Sequence, residues 1–335
     1  MKIALLGNTG HWHSYAGALS KIPGAEVAAV ARCGPEEALA AFDSAPGVTA
    51  ATPRFDSPAE MLERSKLDAV QICARPDRLA DLSAACLERG VAVFSEKPLA
   101  MNLPALEKLY AVVRRTGTPL LPMHTMRGVP QLAAVRKAIA AGEIGTPQLA
   151  FSQKSYRWGN DRPEYFRTRS TFPGLAPFVG IHAIDWLYWM LGDVFASVQG
   201  SALVGRDDFP GCASSGSFIF TLTNGGSAIM SFDYLRPNAA PTHGDDRVRV
   251  AGPLGVVEAR VADGSATLLT ARAATSLPLE SSGDLFTDFL HSIKSKTPPP
   301  ISIYDGFRTT EIALRAQEAA DSAASAVPLS SCFDK

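Results

Sequence analysis

Short apolar runs alternate with amphipathic stretches along the first 120 residues. Positions 3–6, 26–31, 68–73, 91–94 and 119–122 are mostly apolar. Between them, 13–20, 35–42, 77–89 and 103–116 carry apolar residues at helical spacing. Apolar runs this short, without a polar alternate face, read as strands buried on both sides. Strands alternating with helices predict a parallel sheet, doubly wound, with its ligand crevice at the strand carboxyl ends. The pattern then changes. A helix at 131–141 stops at Gly142, a C-cap residue type. Positions 148–153, 196–204, 215–223, 227–234, 247–251, 256–261 and 265–271 read as strands. Asn224-Gly225 is a hairpin signal between two of them, and Gly252-Pro253-Leu254-Gly255 is a second turn. Successive strands with short connections predict an antiparallel sheet. One helix, 182–191, interrupts them; helices at 284–294 and 303–324 close the chain. We therefore expect an α/β protein of two domains, 1–122 and 123–335, with the closing helix able to pack back on the first.

Composition narrows the function classes. The 335 residues are 46% hydrophobic and 19% charged, with net charge −1. Large cores are affordable, and no basic footprint for nucleic acid is present. No apolar stretch reaches the roughly 20 residues of a membrane span. The short N-terminal apolar run ends in a glycine turn and reads as a buried strand rather than a signal peptide, so a cytoplasmic protein is expected. Cys33, Cys73, Cys86, Cys212 and Cys332 show no metal spacing.

Gly7-Asn8-Thr9-Gly10 follows the first strand and precedes a helix, where a dinucleotide-binding turn must sit. The G-x-G-x-x-G fingerprint is incomplete: Thr9 holds the second glycine position and Trp12 the third. Trp12 is too large for close helix–strand packing, so a displaced turn is expected. His11 and His13 flank it; without a nearby carboxylate they line a cleft more often than they bind metal, and no metal is expected. The second strand ends at Arg32, where an NAD site carries an acid. NAD and NADP both remain open, with Arg32 tilting towards the 2′-phosphate of NADP.

After the third strand comes Ala74-Arg75-Pro76-Asp77, and after the fourth Ser95-Glu96-Lys97-Pro98. This Glu-Lys-Pro run resembles the most specific motif of the Gfo/Idh/MocA oxidoreductases, relatives of glucose–fructose oxidoreductase and inositol dehydrogenase. Gly142-Glu143-Ile144-Gly145, Gly180-Ile181-His182-Ala183-Ile184-Asp185 and the closing helices resemble further family segments, in the same order over nearly the whole chain. The resemblance implies a Rossmann domain joined to an α/β domain with a large open, mostly antiparallel sheet that often mediates homodimers or homotetramers. It implies hydride transfer between NAD(P) and a sugar, cyclitol or related polyol. Lys97 would contact substrate and nicotinamide; His182 would act as acid/base. Gly7, Asn8, Thr9, Gly10, His11, Trp12, Arg32, Ala74, Arg75, Pro76 and Glu96 would line the cofactor with Lys97.

Two features of the residues bear on the chemistry. Asp185 lies on the same helix face as His182, so the pair reads either as base and orienter or as a cap and a dipole complement. The polar, aromatic stretch 156–167 supplies Trp158 and Arg162 as substrate contacts, while other arginines there pair with Asp161 and Glu164. Asp233 and Tyr234 are weaker candidates. The chain also departs from the family: the aspartate usually found four residues before the histidine is Phe178. That leaves room for cofactor-assisted elimination or glycoside cleavage, or for a non-catalytic ligand sensor.

Overall fold

The computed structural model describes residues 1–159, 162–204, 207–280, 283–322 and 326–334. The chain divides into two compact units. One is Met1–Met123 with Gly283–Arg308 and Phe333–Lys335; the other is His124–Ser282 with Thr309–Cys332.

The first unit begins β1 (Lys2–Leu6), α1 (Ala16–Lys21), β2 (Glu26–Ala31), β3 (Arg54–Phe55), α2 (Pro58–Arg64), β4 (Ala69–Ile72), α3 (Pro76–Glu88), β5 (Ala92–Ser95), α4 (Leu103–Thr116) and β6 (Leu120–Pro122). Its sheet runs β3-β2-β1-β4-β5-β6, with every neighbouring pair parallel. Strand order reverses between β1 and β4, which is where such sheets open a crevice at their carboxyl ends. All four residues of β4 and of β5 are buried, the polar Gln71 and Ser95 included, as strands covered on both faces require.

Three local departures from the sequence pattern have physical reasons. The helix expected at 13–20 starts only at Ala16, because residues 11–16 form successive turns, with Ser14 N–H donating to His11 O and Ala16 N–H to His13 O. The helix expected at 35–42 is a 3-10 segment, Leu39–Ser44; before it, the Glu37 carboxylate takes the Cys33 N–H instead of leaving it to the backbone. α2 has no counterpart among the expected helices, although Ser57-Pro58 with Glu60 is a helix-start signature. The Ser57 hydroxyl does accept from Glu60 N–H at 3.1 Å.

The second unit carries α5 (Pro130–Ala140), β7 (Leu149–Arg157), α6 (Ile181–Leu191), β8 (Phe195–Val204), β9 (Ala213–Leu222), β10 (Ser227–Arg236), β11 (Gly244–Gly252), β12 (Gly255–Arg260), β13 (Ser265–Thr270) and β14 (Ala274–Ser276). After α7 (Leu285–Ser295) and α8 (Ile303–Ser322), the two-residue β15 (Val327–Pro328) completes its sheet. Ala324, expected in the last helix, lies outside the described residues. The sheet order is β14-β13-β12-β11-β7-β10-β9-β8-β15; it is antiparallel except for β7 with β10. Asn224-Gly225 turns β9 into β10, with Gly225 at φ +82°. One sheet face is covered by α5 and α6, and the Trp186 indole donates to Ser152 Oγ at 2.7 Å. The other face alternates outward. Ile219 and Ile229 are cross-strand partners there, and Phe151 pairs with Ile229 on the far side. Ile219 and Ile229 are 50% and 42% exposed.

α7 belongs to the first unit rather than to the expected 123–335 domain. Asp284 caps it by accepting from Thr287 N–H at 2.7 Å. Its apolar face, Phe286, Phe289 and Leu290, sinks into the core around Ile3, Phe94 and Leu121. Phe286 stacks on Phe94 of β5 with centroids 4.8 Å apart. Both rings are fully buried, so removing one leaves a cavity under the strand that carries the Glu96-Lys97 turn. Phe286→Ala is expected to destabilise the first unit by about 3–5 kcal/mol, read as a lower urea midpoint. An unchanged midpoint would show that α7 is not part of its folding core.

Candidate active site and dinucleotide-binding turn

At the carboxyl ends of the parallel strands the chain places Gly7 after β1, Arg32 after β2, Cys73 and Ala74 after β4, and Glu96 and Lys97 after β5. Gly7 and Gly10 both take positive φ, +73° and +58°. A Cβ on Gly7 would stand 2.3 Å from Cys73 O, so the turn is pressed against the end of β4 at a distance only glycine permits. Thr9 N–H and Thr9 Oγ1 both donate to that same carbonyl, and the Asn8 amide donates to Ala38 O at 3.0 Å. The cradle fits a dinucleotide, whose pyrophosphate needs close backbone approach. Trp12 lies in the turns that precede α1. Its ring packs edge-on to Phe42 and lies tilted against His13, and its carbonyl accepts from Gln71 Nε2 at 2.6 Å.

Glu96 holds this turn to the β5 end. One carboxylate oxygen accepts from His11 N–H at 2.7 Å and lies 2.6 Å from His11 Nδ1; the other accepts from Lys97 N–H at 3.0 Å. A Cβ on Gly10 would meet that first oxygen at 2.3 Å. Glu96 N–H continues the parallel ladder to Ile72 O, so Lys97 stands one residue beyond it, 5% exposed. Of the other expected cofactor residues, Arg32 is paired with Asp56 at 2.9 Å. Arg75 forms a two-pronged pair with Asp77, both bonds 2.8 Å, and Pro76 is the first residue of α3.

In the second unit, a π-turn, Ala176–Gly180, leads directly into α6, whose first turn carries His182, 2% exposed. The side chain at 178 joins an aromatic cluster, 5.0 Å from Phe166 and 5.1 Å from Phe172. Asp185 is fully buried and engaged by Arg127, which donates from Nε at 3.0 Å and Nη2 at 2.7 Å. His124 Nε2 stands 3.7 Å from the same carboxylate and 2.9 Å from Thr309 Oγ1. The orienting contact shown by Asp185 is therefore with Arg127, a residue sequence reasoning missed; the two are 58 positions apart and no local spacing announces them. Also missed is Lys154, whose ammonium pairs with Asp246 at 2.6 Å and lies over the Tyr156 and Trp186 rings. Burial pushes the Asp246 carboxyl up, against the lowering effect of that ammonium.

The aromatic stretch is more ordered than expected. β7 runs through Tyr156 and Arg157. The Arg162 guanidinium donates to Trp158 O and Arg157 O and lies over the Trp158, Phe166 and Tyr234 rings at 4.6–5.2 Å. Arg162 thus braces its own loop. Arg167 pairs with Glu164 as anticipated; Asn160 and Asp161 lie outside the described residues. Asp233 accepts from Ser155 Oγ and Leu235 N–H, a strand-end brace. Among the described residues no group of three metal-ligating side chains occurs, and no helix is long and apolar enough to cross a membrane.

The Glu96 contacts set a pH dependence. Burial pushes its carboxyl up, but the charge and hydrogen bond of His11, the charge of Lys97 and the His11 N–H outweigh burial and hold it at about 2, below the ordinary 4.5. A depressed carboxyl stabilises the fold above its unfolded value, and the effect disappears as pH falls from about 4.5 towards 2. The depression corresponds to about 3 kcal/mol. Glu96→Gln is expected to lose about that much at pH 7 and to show a flatter acid-unfolding curve. Equal acid sensitivity in the two proteins would refute this.

Residues 1–124 match the oxidoreductase family with an NAD-binding Rossmann fold, GFO/IDH/MocA, and residues 132–258 match the GFO/IDH/MocA C-terminal domain. D-apiose dehydrogenase of Paraburkholderia graminis is 27% identical over 76% of this chain and 66% of its own length. Inositol 2-dehydrogenase of Rhizobium meliloti is 32% identical over 58% of this chain and 57% of its own. The chain thus spans less than two thirds of these curated relatives. A solved structure from Thermotoga maritima, provisionally named an oxidoreductase, is 31% identical, covers 98% of this chain and 100% of its own, and superposes with a TM-score of 0.88. With both halves matched in order and the glycine cradle in place, the chain belongs to the GFO/IDH/MocA oxidoreductase family.

Proposed function

We propose that the chain is a nicotinamide-dinucleotide-dependent dehydrogenase acting on a CH–OH group of a sugar, cyclitol or related polyol. The observation that carries this reading is Lys97. It is buried two residues beyond a parallel strand, and Glu96 ties its turn to His11, next to the positive-φ Gly10. The names of the D-apiose and inositol relatives support a polyhydroxy substrate. The bound cofactor supplies the hydride acceptor or donor. In this reading Gly7, Asn8, Thr9, Gly10, His11, Trp12, Ala74, Arg75, Pro76 and Glu96 hold the dinucleotide. Lys97 hydrogen-bonds the reacting oxygen and stabilises charge developing on it. His182 takes or returns the hydroxyl proton. Asp185 acts through Arg127 as a positioning residue, and Trp158 contacts substrate. Arg162 shapes that part of the site by holding the Trp158 backbone.

Phe178 favours a second reading. A ring cannot assist a histidine as the family's aspartate does, so a transient oxidation could instead drive elimination or glycoside cleavage, with the hydride returned. A panel of aldoses, inositols and their glycosides separates the readings. Net NADH or NADPH formation from a free polyol, reduced about a hundredfold or more in Lys97→Ala with dinucleotide binding retained, is expected. Glycoside cleavage without net cofactor turnover would establish the second reading. Saturable sugar binding with neither reaction would make the chain a sensor.

We further propose that the open face of the second unit's sheet joins copies of the chain into a homodimer or homotetramer. The row Phe151–Ile229–Ile219 crosses three adjacent strands of that face, and monomers seldom leave such apolar rows in water. Sedimentation analysis is expected to show a dimer or tetramer that Ile229→Lys dissociates. A monomeric wild type at micromolar concentration would end the proposal.

A further inference from the structure

The dinucleotide reading leaves open which cofactor is held, and the loop after β2 bears on that choice. By position Arg32 is the residue to meet a 2′-phosphate. In the structure its guanidinium is on Asp56 at 2.9 Å, across the end of β3. The next residues fold into a tight turn. Glu37 N–H donates to Gly34 O, and the Glu37 carboxylate accepts from Cys33 N–H at 2.7 Å. This turn abuts the phosphate cradle: a Cβ on Gly7 would stand 3.3 Å from Cys33 Sγ. The Asn8 amide, donating to Ala38 O, ties the two together.

Into this corner projects Glu36, with its side chain 43% exposed. Its Oε1 is 2.9 Å from Arg78 Nη1 and 3.6 Å from Arg75 Nη1. Both arginines are themselves fixed, Arg75 by Asp77 and Arg78 by donating to Cys33 O at 2.7 Å. Gly34 leaves the space that Arg78 occupies, since a Cβ there would be 1.8 Å from its Nη1. Arg78 Nη2 also reaches Oε2, at 3.5 Å, so the carboxylate is held in place through both oxygens, and the half-exposed group still has lone pairs to accept further donors.

Resting on the dinucleotide reading, we infer that Glu36, not Arg32, selects the adenosine ribose, and that it selects the free 2′,3′-diol. A positioned carboxylate accepts hydrogen bonds from both hydroxyls of a diol. It repels a 2′-phosphate, which carries close to two negative charges at neutral pH. The surrounding charges agree. Arg32, Arg75 and Arg78 are met by Asp56, Glu36 and Asp77, so no guanidinium in the group lacks a carboxylate partner. The chain therefore takes NAD(H) in preference to NADP(H), although the tip of β2 carries an arginine.

The test is equilibrium binding of NADH and NADPH, followed by calorimetry, to the wild type, Glu36→Gln and Arg32→Ala. NADH is expected to bind the wild type about tenfold or more tighter than NADPH. Glu36→Gln should weaken NADH about tenfold and narrow or reverse the preference. Arg32→Ala should leave the ratio of the two affinities nearly as it was, and its thermal unfolding checks that the fold persists. Tighter NADPH binding by the wild type would overturn the inference, with Glu36 then only covering a phosphate seat between Arg75 and Arg78. So would unchanged NADH affinity in Glu36→Gln. Binding of neither cofactor would instead overturn the dinucleotide reading itself.

Discussion

A single buried carboxylate organises the carboxyl end of the first unit's sheet. Glu96 gathers the backbone and ring of His11 and the backbone of Lys97. An unpaired ion in such a place would be costly, and its pairing with hydrogen-bond donors is what makes the burial tolerable. Consequences follow for residues far apart in the chain. Gly10 has to be glycine because a Cβ would collide with the carboxylate. The turn after β1 cannot continue straight into a helix, because His11 must bend back to reach it. Lys97 inherits its position from the same anchor. The incomplete glycine fingerprint is therefore a turn built around a charge, with a side chain doing part of what glycines and a helix start do elsewhere.

This explains which parts of the molecule were legible in the sequence. Apolar runs revealed β1, β2, β4, β5, β6 and the strands β7 to β13 of the larger sheet, though not the short β14 and β15, because burial on one or both faces leaves a pattern of period two or none. Asn224-Gly225 marked its hairpin because few residues accept positive φ. The stretch 35–42 misled, since its spacing suits a helix while Glu37 satisfies a backbone donor locally and ends the helix before it starts. β3 is two residues long and carries no periodicity at all. The site was half legible. Lys97 and the glycine turn stand in contiguous motifs. The Arg127–Asp185 pair, the Lys154–Asp246 pair and the Arg32–Asp56 diversion join positions that only the folded chain brings together.

Arginine shows the limit most clearly. Read along the chain, Arg32 and Arg162 are candidate ligand contacts, because a guanidinium suits phosphates, carboxylates and hydroxyls. Folded, each is engaged within its own unit: Arg32 by a carboxylate, Arg162 by two carbonyls and three aromatic faces. A planar cation with five donors is as suited to bracing a loop as to binding a ligand, and its residue type does not distinguish the two. What distinguishes them is whether nearby acceptors are already at hand.

The same reasoning bears on Phe178. Its ring is one of a packed set with Tyr165, Phe166 and Phe172, and Arg162 lies over the Phe166 face. An aspartate there would enter an apolar cluster, where its ionised form is disfavoured. The substitution is therefore not an isolated loss of a proton-relay group. It belongs to a repacked wall beneath the start of α6, with the π-turn Ala176–Gly180 delivering the chain from that wall to His182. Polar control of α6 is displaced to its next turn, where Asp185 is clamped by Arg127 beside His124. The segment entering α6 is thus fixed by packed rings, and the helix itself by an ion pair one turn on.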